Sequence, residues 1–256
     1  MANFPTSLDN FTDNVDDVMA DDVNALQDKV GIDNDTEPTS LDYMLRTGYI
    51  LVTETWTRTG DFTFTVTGDL TTRYRKGTKV RYKDGGAYEY GVVISSSYSN
   101  PNTTVTLATN TDYAMAATTI TETNISYIDN PEGFPFYFNF TPAYTGFSAD
   151  PPTGVSRFSI RGTTCFYRNR PGNNGTSNAN TYSQTLPVAH SYKAALDDFY
   201  FPVTSGYDGG VYWEYVVVGV INNGEASVAF TKGGVLTGWT DSGNKRIISF
   251  QVIYEI

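Results

Sequence analysis

Apolar and polar residues alternate strictly over residues 61–67. Phe62, Phe64 and Val66 fall on one side of an extended chain, and Thr63, Thr65 and Thr67 on the other. That period of two is the signature of a half-buried strand. TKVRYK at 78–83 alternates in the same way after Gly77, and Asp84-Gly85-Gly86 then reads as a hairpin turn into AYEYGVVISSS. Ser99-Asn100-Pro101-Asn102 is a second turn, leading into TTVTLA. Further strands are predicted at Tyr49–Val52, SRFSIRGTTCFYRN, TYSQTLPV, GGVYWEYVVVGVIN, ASVAFTKG and RIISFQVIYEI. In the last of these Ile248, Phe250, Val252 and Tyr254 share one face. No helical pattern of 10–15 residues separates the strands, which argues against a parallel α/β sheet.

Helical periodicity is confined to the N-terminal part. In DDVNALQDKVG at 21–31, Val23, Leu26 and Val30 recur at helical spacing; Asp21 or Asp22 can cap the start and Gly31 can end the helix. After the turn-rich DNDTEPTS, Ser40 can cap a short turn, LDYMLR, whose apolar residues are Leu41, Met44 and Leu45. Helices this short are marginal alone. Their apolar stripes call either for sister chains or an assembly platform, or for folding back on the chain's own β domain.

The chain therefore reads as mainly β in three parts. Residues 1–47 form a short helical N-terminal arm, 48–130 a small β-barrel-like antiparallel module, and 131–256 an aromatic connector followed by a jelly-roll-like antiparallel β-sandwich. The connector, PEGFPFYFNFTPAYTGF, holds enough aromatic surface to require packing between the β domains or between chains.

Charge sharpens this division. The net charge is −11, and residues 1–45 carry 11 Asp or Glu against one Lys, so nearly all the acidity lies in the arm. The arm is either a solvated segment or one that docks on a basic partner surface. The remainder is balanced, so a basic nucleic-acid face is not expected. One cysteine, Cys165, excludes an intrachain disulfide and a Cys-based zinc cluster. The N-terminal residues show neither the basic nor the apolar region of a secretion signal, and no run of 18 apolar residues predicts a membrane span.

GDFTFTVTGDLTTRYRKGTKVRYK at 60–83, EYGVVISSSYSNPNTTVTLATNTDYAM at 89–115 and NPEGFPFYFNFTPAYTGF at 130–147 resemble a module of bacteriophage tail-fibre and head-fibre proteins. FPTSLDNFT and DVNALQDKVGI resemble the arms that precede such modules. The resemblance covers about residues 1–147, and only the strand pattern of the last third is similar to trimeric fibre-tip sandwiches. It implies a virion structural protein, made in the host cytoplasm and partnered by other virion proteins of tail, neck or capsid. It also implies a homotrimer, with no catalytic motif.

The residues themselves offer little chemistry. The aspartates at 13–22 and 33–35 lack the spacing of a calcium loop, so no metal or other cofactor is expected. Cys165 lies in an alternating strand and His190 near a strand end, with no third group to orient them as a nucleophile and base. Asp197, Asp198, Asp208, Glu214 and Glu225 show no pairing that would suggest glycoside hydrolysis. Sugar binding is better served, because rings stack on sugars and amides bond to hydroxyls. The loop 169–182 supplies Asn173, Asn174 and Asn178; the loop 204–213 supplies Tyr207, Asp208 and Tyr212; and 238–246 supplies Trp239 and Asp241. The alternative for all three is ordinary hairpin loops. The expectation is a non-enzymatic fibre- or tail-associated protein. Val23, Leu26, Val30, Leu41, Met44 and Leu45 anchor or oligomerise it, and the sandwich contacts a host-surface glycan. It neither binds nucleic acid nor inserts into a membrane. Head decoration and polysaccharide depolymerase are the alternative functions.

Overall fold

The computed structural model of the chain describes residues 20–256 except 111–112, 117–118, 191–197, 204, 214–216, 223, 233 and 237. The protein is mainly β, with 49% strand and 8% helix. It divides into two compact units, Met1–Thr109 with Tyr113–Pro135, and Asn110–Asp112 with Phe136–Ile256.

The described part of the first unit starts with two helices, α1 (Ala20–Val30) and α2 (Leu41–Thr47). Gly31 ends α1 in the left-handed region, φ 81°, and its N–H bonds to the Gln27 carbonyl. Ser40 caps α2, its Oγ accepting from the Tyr43 N–H at 3.2 Å, and Gly48 closes it at φ 74°. The strands are β1 (Ile50–Leu51), β2 (Thr57–Gly60), β3 (Thr63–Thr67), β4 (Lys79–Asp84), β5 (Ala87–Ser99), β6 (Asn102–Ala108) and β7 (Ile120–Ser126). They form one antiparallel sheet in the order β1-β7-β4-β5-β6-β3-β2. The β4–β5 hairpin closes at Asp84↔Ala87 over Gly85 and Gly86, both at positive φ as a two-residue primed turn requires.

The barrel-like module expected from strand spacing is instead an open sheet. Closure would need a ladder between the edge strands β1 and β2, and β1 is only two residues long. The core lies on one face and holds Trp56, Phe64, Val66, Tyr74, Val80, Tyr82 and Val93. Strand β4 is buried on both faces. On its outer side the Arg81 guanidinium lies between the Tyr49 and Tyr88 rings, 3.9 and 4.6 Å from their centroids.

The second unit contains three antiparallel sheets. The first is β21 (Phe250–Glu255), β12 (Thr164–Pro171), β11 (Thr153–Arg161) and β8 (Phe138–Asn139), in that order. The second is β15 (Phe199–Val203), β18 (Val217–Ile221), β19 (Ser227–Lys232), β14 (Ser183–Thr185) and β9 (Tyr144–Thr145). Their inner faces meet in a sandwich-like core. Phe250 lies 5.3 Å from Phe230 and 5.6 Å from Phe201, and Asn169 bonds to Gln184 at 2.8 Å. The third sheet is β10 (Phe147–Ala149), β13 (Gly175–Ser177), β20 (Asn244–Ile247), β16 (Gly206–Asp208) and β17 (Val211–Trp213). Residues 246–256, expected as one strand, are broken at Ile248-Ser249: β20 ends in the third sheet and β21 begins in the first. The Ile248 N–H bonds to Ser205 instead. Phe250, Val252 and Tyr254 are buried as the alternation requires.

Candidate functional site

The third sheet of the second unit brings together the three segments that the sequence marks for sugar contact. β13 comes from the loop 169–182, the β16–β17 hairpin from 204–213, and β20 from 238–246. Gly209 and Gly210, at φ 58° and 82°, make the hairpin turn, and Tyr207 pairs with Tyr212 across it. Their rings meet edge to face at 5.4 Å, and the Arg246 guanidinium lies 5.1 Å from the Tyr207 ring. Tyr212 is about half exposed and Val211 more so.

This surface rests on a buried polar frame. Asp208 points inward, ion-paired with Lys232, and accepts from the Thr240 N–H at 3.0 Å and the Thr240 Oγ at 2.6 Å. Burial pushes the Asp208 carboxyl up, but Lys232 and Thr240 together outweigh it and hold the carboxyl below its ordinary value. Ser177 Oγ donates to the Thr240 carbonyl at 2.6 Å, and its N–H reaches the Gly243 carbonyl at 2.8 Å. Trp239 is 3% exposed and donates its indole N–H to the Phe230 carbonyl. Lys245 is fully buried and donates to the carbonyls of Ala179 and Thr181 at 2.8 and 2.7 Å, and its burial lowers it to about 8.

Asp208 and Trp239 are therefore interior residues and drop out of a contact surface. An alternating stretch of three residues does not reveal which side faces in, and the Thr240 and Lys232 partners decide it for Asp208. Asn173, Asn178 and Asp241 are exposed, and Asn174 is half-buried. Asn173 Oδ1 accepts the Asn174 N–H at 2.8 Å, while Asn174 Oδ1 has no partner among the described residues. The surface presents amides, a carboxylate and a tyrosine ring, groups that bind hydroxyls and sugar faces.

On the arm, Leu26, Leu41 and Leu45 are exposed, and Val23, Val30 and Met44 are half-buried. α2 is held by its other residues. Tyr43 accepts from Arg81 Nη2 at 2.9 Å, and Arg46 bonds to the Asp35 carbonyl at 2.8 Å. Among the described residues catalytic groups are not gathered; Asp197 and Glu214, two of the carboxylates weighed for glycoside hydrolysis, and the aspartates at 13–17 lie outside the described residues. Cys165 is buried, its thiol pushed up to about 12 by burial, and the buried His190 is lowered by the same cause. Among the described residues no group of three His, Cys, Asp or Glu could hold a metal ion, and no helix is long and apolar enough to cross a membrane.

The sequence reading missed the arginines of β11 and β12. The signal was present: Arg157, Ser159 and Arg161 alternate, and a tight turn at Gly162 sets the pairing of Arg157 with Arg168. Comparison with known proteins gives no identification, since no family model, curated protein or solved structure matches the chain.

Proposed function

We propose that the chain is a non-enzymatic binding protein, and within that class a structural component of a bacteriophage particle whose second unit contacts a host-surface glycan. The supporting observation is the meeting of three Asn-, Gly- and Tyr-bearing segments on one sheet, with Asn178, Tyr212 and Asp241 outermost over a fixed buried frame. The phage assignment rests on the resemblance of residues 60–83, 89–115 and 130–147. The acidic arm, with Leu26, Leu41 and Leu45 exposed, is the part that meets other virion proteins. Several copies on one particle strengthen weak sites by avidity, by roughly 10²–10⁴.

The test is binding of the purified chain to an array of bacterial surface glycans, repeated with Asn178→Ala and Tyr212→Ala together. Binding that the double variant loses while it stays folded supports the site. Equal binding by the variant, or none by the unaltered chain, overturns it.

A further inference from the structure

The four-stranded sheet of the second unit carries an unbalanced charge on its outer face. Arg157, Ser159 and Arg161 of β11 alternate with buried Ser156, Phe158 and Ile160, while Phe166, Arg168 and Arg170 of β12 alternate with buried Cys165, Tyr167 and Asn169. Four arginines thus share one face, and Arg157 stands directly opposite Arg168. Like charges facing each other across an antiparallel pair destabilise it. The acid on these four strands is Glu255, and none of the four arginines is ion-paired with a described residue. This occurs in a chain whose net charge is −11.

The arginines stand beside aromatic and hydroxyl-binding groups. The Arg157 guanidinium lies 4.5 Å from the centroid of the Tyr137 ring, which is about half exposed. Arg157, Arg161, Arg168, Tyr137, Ser159 and Gln251 line a depression of about 200 Å³. A guanidinium takes a carboxylate through two parallel hydrogen bonds. A tyrosine face suits the C–H side of a sugar ring, and Ser and Gln side chains bond to hydroxyls.

We propose that this face binds an acidic polysaccharide whose repeating units carry carboxylates. The depression fits a carboxylated sugar residue, and the rings it presents, half-exposed Tyr137 and half-buried Phe166, are fewer than the run of rings on which successive bases stack. The inference extends the reading of the protein as a glycan-binding component, but it uses no residue of the sheet that carries Tyr212 or of the segment after β13 that carries Asn178.

The experiment is binding of the full chain to immobilised polygalacturonate, with neutral dextran and oligo-dT as comparators, at low and physiological ionic strength. The variants are Arg157→Ser with Arg168→Ser, Arg168→Lys alone, and the Asn178→Ala, Tyr212→Ala pair. The expected result is selective, salt-sensitive binding to polygalacturonate that the double arginine variant weakens roughly tenfold or more. Arg168→Lys should weaken it too, and the asparagine–tyrosine pair should leave it unchanged. Circular dichroism and the thermal midpoint should show both arginine variants folded, because the double variant relieves a like-charge pair and Arg168→Lys keeps the charge of an exposed side chain. Absent binding, or equal binding by the double arginine variant, overturns the proposal. Equal or tighter binding of oligo-dT overturns it in favour of nucleic acid. Arginine-dependent self-association without polygalacturonate binding overturns it in favour of the acidic arm of a second copy. Loss of array binding in the asparagine–tyrosine pair alone leaves this face intact, so the two readings fail separately.

Discussion

Arg81 Nη2 donates to the Tyr43 hydroxyl at 2.9 Å, tying α2 to the outer face of β4. Arg81 is 8% exposed and its guanidinium is flanked by the Tyr49 and Tyr88 rings, so stacking and hydrogen bonding act on one buried cation. Tyr43→Phe is expected to cost about 1.5–3 kcal/mol, the range for a hydrogen bond to a charged group. Arg81→Lys should cost a comparable amount, because an ammonium cannot reproduce a planar guanidinium between two rings. Both changes should also speed proteolysis around residues 36–48. Denaturant midpoints and cleavage rates that do not move would refute the role given to this pair.

A second chain of contacts orders the core of the first unit. Trp56 stacks on Phe64 at 3.9 Å and donates to the Tyr74 hydroxyl at 2.8 Å; Tyr74 donates to Glu54 at 2.7 Å, and Arg73 bonds to both Glu54 oxygens. Phe64→Ala should cost about 3–5 kcal/mol as a buried aromatic truncation. Tyr74→Phe should cost about 1–3 kcal/mol, because the buried indole N–H loses its acceptor. Urea denaturation followed by Trp56 fluorescence measures both, and a near-neutral Tyr74→Phe would disprove the relay.

The elements set by local pattern were legible in the sequence. β3 follows the alternation of Phe64 and Val66, the β4–β5 turn follows Gly85 and Gly86, and α2 follows Ser40 and Gly48. Features set by distant partners were not. Nothing near residues 246–256 shows that the chain changes sheets at Ile248, because an unbroken apolar alternation suits either sheet. The candidate site was legible as three segments, which one sheet joins. The inward turn of Asp208 was hidden, since Lys232 and Thr240 are each more than 20 residues away in sequence. On α2 the apolar Leu41, Met44 and Leu45 were legible as a stripe for sister chains, a platform or the chain's own β domain, but the bond from Tyr43 to Arg81 was not, because the buried cation that needs this acceptor lies 38 residues away.

Asp208 gives the protein an acid-sensitive joint. Its folded-state carboxyl is held below the unfolded value of about 3.9, so its contribution is present above that pH and is lost as pH falls below about 4. Asp208→Asn should cost about 3–5 kcal/mol at neutral pH, since it leaves Lys232 without its buried partner. It should also flatten the decline of stability below pH 4. Acid titrations of both proteins, followed by fluorescence of Trp213, whose ring lies 4.1 Å from Lys232 Nζ, test this. Parallel acid limbs would rule it out.

Lys245 predicts a dependence of the same sign in a second window, at the alkaline end. Burial lowers it to about 8, with Asp208 pulling the other way, whereas an unfolded lysine titrates near 10.4. Between these values the unfolded chain holds a proton that the folded chain has released, so stability rises with pH through the window. The full swing amounts to about 3 kcal/mol. Buried tyrosines such as Tyr167 and Tyr182, raised by desolvation, reverse the trend only above about pH 10, where unfolded tyrosines lose protons. Lys245→Met keeps an unbranched side chain beside Phe147, whose ring centroid lies 4.8 Å from Lys245 Nζ, but removes the titration. It also strips donors from the Ala179 and Thr181 carbonyls, so the slope against pH is the diagnostic and not the absolute stability. Urea denaturation from pH 7 to 10 should show a rising limb in the unaltered chain and a flatter one in the variant. A rising limb that survives Lys245→Met would assign it to another group.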